Sequence, residues 1–249
     1  VSANTHSEPQ APEPKNANPR AAISSWYLLE SGAGQPAFNM ALDEALLEAL
    51  PRLGQPVLRL YSWAVPTASF GYFQRYADVE RLTHLRPLVR RPTGGGVVPH
   101  ESDWTYSLLL PVREEWYSLA APESYRRVHA WIQAAFARLN VPTELALRGR
   151  SSGPGRCFAG YERFDLLWGG QKIAGAAQRR TRHGLLIQGS VQPPPLSLAR
   201  RDWEAALRAC APLAGGVTWR ELVLDGELAG NASRLAAGKY SQAEFLRKR

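Results

Sequence analysis

With 249 residues, 45% hydrophobic and 21% charged, the chain has apolar material for one sizeable core. No apolar run approaches the roughly 20 residues that span a bilayer, so the expectation is a soluble, cytoplasmic protein without a membrane helix. Its two cysteines, Cys157 and Cys210, have neither disulfide-framework nor zinc-site spacing, and the net charge of +8 suits an anionic partner: a nucleic acid, a phosphorylated cofactor or an acidic protein.

Residues 1–22 hold Pro9, Pro12, Pro14 and Pro19 among polar residues and lack apolar periodicity, which predicts a disordered tail before one domain over 23–249. A short strand is expected at 26–30, then a glycine turn at 31–35. Pro36 fits the first turn of a helix, and Phe38, Ala41, Leu42, Ala45, Leu46 and Ala49 recur at helical spacing through 37–50. Strands are expected at 57–63, 67–73 and 88–91, with Arg59 and Gln74 marking wet faces. Three glycines, Gly94 to Gly96, would then lead to a strand at 104–110.

A long amphipathic helix at 122–140 should cover the sheet. The Gly/Ser/Arg-rich stretch 148–156 predicts a mobile loop that delivers Cys157. Residues 164–168, Gly169-Gly170 and 172–178 have the form of a hairpin, followed by a strand at 184–191. Helices near 199–210 and 219–223 precede a charged helix from Ser241 onward.

Three consecutive glycines lose much conformational entropy on folding, so a backbone that lies flat against a ligand is one reason to keep them; a plain turn is the other. The stretch is not GxxxxGK[ST] and no helix follows it, which argues against a phosphate loop. Arg90 and Arg91 are either solvated charges or part of an anion or carbonyl pocket. His100 is either a hydrogen-bonded strand-entry histidine or a site residue. Lys172 opens a strand whose small residues, 174–177, leave room for a ligand; otherwise it is a solvated strand end. Cys157, flanked by Arg150 and Arg156, is a buried hydrophobe or a thiolate nucleophile, and Cys210 is read as structural. A Cys/His/Asp hydrolase remains open, with Asp103, Asp165 and Asp202 as acids.

Arg90-Arg-Pro-Thr-Gly-Gly-Gly-Val-Val-Pro-His100 together with Lys172-Ile-Ala-Gly-Ala-Ala-Gln178 resembles the lipoate-protein ligase A and octanoyltransferase family. Pro36-Ala-Phe-Asn-Met-Ala-Leu-Asp-Glu-Ala-Leu-Leu47 is similar to that family's first helix, and the match runs over residues 26–191. The resemblance implies an α/β (α+β) fold shared with biotin protein ligases and class II aminoacyl-tRNA synthetases: a mixed, largely antiparallel sheet flanked by helices. Ligases of the family activate lipoate with ATP and resemble each other in carrying Gly-Arg-Asn-Asp where this chain has Arg156-Cys-Phe158. The Cys-Phe pair is similar to the cysteine-dependent, LipM-type octanoyltransferases. Two departures stand out: Glu101 where the family often has Asp, and Gln188-Gly189 where it often has His-Gly. The chain also stops soon after the catalytic domain, where many ligases carry an accessory domain.

The resemblance implies octanoyl transfer from acyl carrier protein, through a Cys157 thioester, to a lysine of a lipoyl domain or of the glycine cleavage H protein, with Lys172 assisting and no cofactor or metal. It places Arg91, Thr93 and His100 at the acyl head group and Gly94, Gly95, Gly96 and Gly175 along an alkyl tunnel walled by Trp63 and Val98. An ATP-dependent lipoate ligase, an amidotransferase drawing octanoate from the H protein, and a non-catalytic binder of lipoyl or carrier domains are the alternatives. Neither nucleic acid nor membrane is an expected partner.

Overall fold

The computed structural model describes residues 24–150, 155, 158–212 and 216–248. The expected N-terminal tail lies outside the described residues, as do most of the expected loop at 148–156 and Cys157 itself. The chain begins with β1 (Ser24–Gly34), α1 (Pro36–Leu53), β2 (Val57–Trp63), β3 (Thr67–Phe70), α2 (Tyr76–Leu82), β4 (Leu88–Arg90) and β5 (Val98–His100). It continues through β6 (Trp104–Pro111), α3 (Glu115–Ser118), α4 (Ala121–Arg138), β7 (Glu144–Leu145), β8 (Leu166–Trp168), β9 (Gln171–Thr181) and β10 (Gly184–Val191). After these come α5 (Arg200–Ala209), β11 (Val217–Glu221), α6 (Gly226–Leu235), a π-helical turn (Ala236–Tyr240) and α7 (Ala243–Arg247).

The large sheet has the order β11-β1-β2-β6-β10-β9-β8-β7. Its β11-β1-β2 end is parallel and every later pairing is antiparallel, so the mixed, largely antiparallel sheet expected from the resemblance is present. In a smaller sheet, β3 lies between β4, to which it is parallel, and β5, to which it is antiparallel.

Successive side chains of a strand point to opposite faces, and this parity sorts the core into two layers. Leu58, Leu60, Leu108, Leu110, Leu185 and Ile187 meet Val128, Ile132 and Phe136 of α4 and Trp203 of α5. Val57, Leu109 and Leu186, one position out of phase, meet Leu42, Ala45, Leu46 and Leu50 of α1. Full burial of each such side chain contributes about 1.5–3 kcal/mol relative to exposure. α1 starts on Pro36 and stops where Gly54 takes φ 64° and donates its N–H to the Leu50 carbonyl at 2.9 Å.

On the α1 face the cross-strand rows of β2, β6 and β10 change character along the strands. Val57, Leu109 and Leu186 form an apolar row; Arg59, Ser107 and Gln188 form the next; Tyr61, Thr105 and Ser190 form the third, which Gly175 of β9 extends. This apolar-to-polar gradient separates the core from the site.

Several sequence expectations are corrected. No helix forms at 219–223: residues 219–221 end β11, whose Val-Thr-Trp-Arg-Glu run pairs with the edge of β1. The glycine turn at 31–35 is instead a bulged continuation of β1, with the register shift between Glu30 and Gly32. The strand expected through residue 73 ends at Phe70. The glycines lead into β5 rather than directly into the strand at Trp104, which belongs to the other sheet. Arg59 is fully buried rather than wet, since Asp43 of α1 reaches it across the sheet face. The C-terminal helix is preceded by α6, whose start Asp225 caps by accepting from the Leu228 N–H.

Candidate active site

The third row borders a cavity between the large sheet and the glycine loop. Met40, Tyr61, Trp63, Val98, Phe158, Ala176 and Ala177 give it apolar surface, and Ser69, Arg91, His100, Thr105, Lys172, Gln188 and Ser190 bring polar groups. Small residues on β9 leave the space open, whereas Gly189 on β10 makes room for the Tyr106 ring on the other face. A Cβ at Gly189 would overlap the Tyr106 ring.

Arg91 holds the glycine loop from within. Its guanidinium donates to the Gly94 and Gly96 carbonyls at 2.9 Å each and to the Ser69 hydroxyl at 2.8 Å. Gly95 has φ 90°, a conformation that side-chain-bearing residues rarely adopt, and its carbonyl crowds Gly71 so closely that a Cβ there would overlap it. The Tyr72 N–H donates to the Thr93 carbonyl at 2.8 Å, which ties the loop to the end of β3.

A second chain of hydrogen bonds runs from Arg91 through Ser69 to His100 and Asp103. Ser69 Oγ lies 2.6 Å from His100 Nε2, and Nδ1 lies 2.8 Å from Asp103 Oδ2. The Asp103 carboxylate can only accept, so Nδ1–H donates to it; in the neutral imidazole Nε2 is then without a proton and accepts from the Ser69 hydroxyl, whose oxygen still accepts from Arg91. Burial pushes the His100 pKa down, against the opposing pull of Asp103. Asp103 Oδ2 also accepts from Thr105 at 2.9 Å and Ser190 at 2.7 Å, and Trp63 stacks on the imidazole at 4.0 Å while donating its N–H to Thr105. His100 therefore shapes the wall with its ring while both nitrogens are engaged by protein groups.

Behind the cavity, Asp43 joins three elements. It accepts from Arg59 at 2.6 Å, Ser107 at 2.6 Å and Gln188 at 2.7 Å. Gln188 in turn accepts from the Thr93 hydroxyl at 2.7 Å. The departure at Gln188 thus becomes a bridge from α1 to the glycine loop. Burial, reinforced by Asp43, holds the neighbouring Tyr61 phenol well above its ordinary pKa.

On the opposite wall Lys172 Nζ lies 2.7 Å from Asp165 Oδ2 and 5.2 Å from the centre of the Phe158 ring, a cation–π distance. The Lys172 side chain is only 7% exposed, so this is not the solvated strand end that a lone lysine suggests. A Cβ at Gly175 would stand 2.6 Å from its Cε and 2.7 Å from its Nζ. Gly175 therefore makes room for the ammonium as well as for a ligand.

Of the residues singled out from sequence, Trp63, Arg91, Gly95, Val98, His100, Lys172 and Gly175 come together on the cavity. Thr93, Gly94 and Gly96 lie in the hydrogen-bonded wall, not among its lining residues. Phe158, covalently next to Cys157, lines the cavity. Arg90 is buried and donates to the carbonyls of Tyr72, Gln74 and Leu246, a role that its sequence neighbourhood does not signal. Of the three candidate acids, Asp103 meets His100, Asp165 meets Lys172, and Asp202 sits on the surface beside Arg201. Ser69 and Ser190 on their strands and Gly71 just past β3 were invisible as site residues, because isolated Ser and Gly carry no motif. Among the described residues no cluster of three or more His, Cys, Asp or Glu could hold a metal ion.

The helix-flanked mixed sheet is a fold shared with solved lipoate-protein ligases. A lipoate-protein ligase A bound with ATP superposes with TM-score 0.73 at 20% identity, covering 90% of this chain and 98% of that one. A bi-partite lipoate protein ligase from Thermoplasma acidophilum gives 0.67 at 18% identity, covering 90% and 96%. Residues 35–192 match the lipoyl protein ligase A/B catalytic domain, and the chain belongs to that family. It is 36% identical over 182 residues to the octanoyltransferase LipM of Lysinibacillus sphaericus, covering 68% of this chain and 66% of that protein. The LipM of Symbiobacterium thermophilum is 38% identical over 184 residues, covering 68% and 65%. The chain thus spans 65–66% of the length of these curated relatives.

Proposed function

We propose that this chain is a cysteine-dependent octanoyltransferase of lipoate assembly. The observation that carries the reading is the Lys172 ammonium on a largely apolar cavity wall, against the ring of the residue that follows Cys157. Its resemblance to proteins named as octanoyltransferases, at 36–38% identity, supports the same reaction.

In the first step the Cys157 thiolate attacks the carbonyl carbon of an octanoyl thioester. The donor's C–S bond breaks, and the donor leaves as a thiol carrying the proton that Cys157 gave up. In the second step a neutral lysine amine of the acceptor attacks the enzyme thioester; a C–N bond forms, the enzyme C–S bond breaks and the amine proton restores the Cys157 thiol. The thioester keeps the acyl group activated between steps without ATP. Lys172 stabilises the thiolate and the charge developing on the carbonyl oxygen, effects that are largest where water is scarce.

Octanoyl acyl carrier protein is the proposed donor, and a lipoyl domain or the glycine cleavage H protein the proposed acceptor. A net charge of +8 favours the approach of acidic partners, chiefly through association rate. Among the described residues no helix is long and apolar enough to cross a membrane, and the cysteine content fits a reducing, cytoplasmic compartment.

The test is to incubate the protein with octanoyl acyl carrier protein without ATP and read intact mass. The expected result is one octanoyl group on the protein, absent in Cys157→Ala and discharged by a lipoyl-domain acceptor. Acceptor modification that strictly requires ATP would instead establish a ligase, and failure of both reactions would leave a binding protein.

A further inference from the structure

We propose that Asp165 is the positioning residue for Lys172, fixing its ammonium on the cavity wall for acyl transfer. The inference rests on the role given to Lys172 under Proposed function. Asp165 Oδ2 lies 2.7 Å from Lys172 Nζ, and both side chains are less than one-tenth exposed. The same oxygen accepts the Glu162 N–H at 2.7 Å, while the Asp165 N–H donates back to the Glu162 carbonyl at 3.1 Å. The carboxylate is therefore locked into its own turn before it meets the lysine.

That turn is held against a backbone preference. Phe164 has φ 73°, a left-handed conformation that is unfavourable for a bulky residue and persists only where its surroundings over-determine it. Here the Phe164 N–H donates to the Ala146 carbonyl at 2.7 Å, and the Phe164 carbonyl accepts from His129 Nδ1 at 2.6 Å. The Ala146 N–H closes the arrangement on the Asp165 carbonyl at 2.9 Å.

Stability is a poor reason for such a pair. A buried ion pair is often no more stabilising than apolar side chains of similar volume, because desolvation offsets its attraction. Geometry is a better one. Asp165 takes one of the three ammonium donors, and Gly175 omits the Cβ that would displace Cε and Nζ. Two independent features thus converge on one ammonium position.

The experiment compares Asp165→Asn, Lys172→Met and the double variant by single-turnover formation of the octanoyl-enzyme from octanoyl acyl carrier protein, read by intact mass. Circular dichroism and thermal melts check folding. If Asp165 acts through Lys172, Asp165→Asn slows the reaction about 100-fold, the loss expected of a group misplaced by about 1 Å. The double variant is then no slower than Lys172→Met alone. An Asp165→Asn rate within twofold of wild type overturns the proposal, as does a double variant whose losses multiply. Lys172→Met at the wild-type rate would refute the role of the lysine itself, a separate and recognisable failure. Should Asp165→Asn not fold, Gly175→Ala displaces the ammonium with the carboxylate intact; an undiminished rate there also overturns the proposal.

Discussion

Asp43→Ala probes the junction behind the cavity. Asp43 is fully buried and accepts from Arg59 at 2.6 Å, Ser107 at 2.6 Å and Gln188 at 2.7 Å. Its removal leaves the Arg59 guanidinium, also fully buried, without its counter-charge. Breaking one side of a buried pair costs about 3–5 kcal/mol, and in a domain of this size each kcal/mol lowers the melting temperature by about 2–4 °C. The expected drop is therefore about 6–20 °C, measured by calorimetry or by circular dichroism with urea unfolding at constant m. The companion variant is Asp43→Leu/Arg59→Met. Arg59 also donates to Ser31 Oγ and to two oxygens of Asn39, so the double variant stays less stable than wild type. Its loss nevertheless falls short of the sum of the singles by up to about 3 kcal/mol, because neither charge remains alone. Strict additivity, or an Asp43→Ala loss under about 1 kcal/mol, would refute the assignment of this pair as a buried, mutually dependent unit.

Acid should destabilise the fold through His129. Burial lowers its pKa to about 4 from an ordinary 6.5. The unfolded chain therefore binds this proton first as pH falls through 6.5, and stability declines until the folded state also protonates near pH 4. The contribution is about 3 kcal/mol over that window, and urea unfolding of His129→Gln should show a flatter pH dependence than wild type by that amount. Gly71→Ala places a Cβ against the Gly95 carbonyl; the glycine-loop backbone must shift, so the melting temperature should fall and octanoyl-enzyme formation should drop at least tenfold, and wild-type values of both would refute the close approach. Arg91→Lys keeps the charge but loses the fork that reaches Ser69, Gly94 and Gly96 together, so the same assay should show a loss that wild-type-like rates would disprove.

Local pattern alone was enough for α1, α4, β2, β9 and β10. A helical stripe, a proline in a first turn, a glycine turn between strands and alternation of side chains are properties of neighbouring residues, and neighbours are what a sequence displays. Arg91, the glycines and His100 are likewise neighbours in the chain, whereas Lys172 was joined to them only through the family resemblance. The tertiary structure decided what depends on residues far apart in the chain. The Val217–Glu221 segment became a strand because the edge of β1 was available to pair with it. Arg59 went inside because Asp43 met it, and Gln188 became a bridge because Thr93 and Asp43 lay on either side of it. The partner of Lys172 was one acid among several until the turn at Phe164 brought Asp165 to 2.7 Å, since a charge is placed by what surrounds it in space.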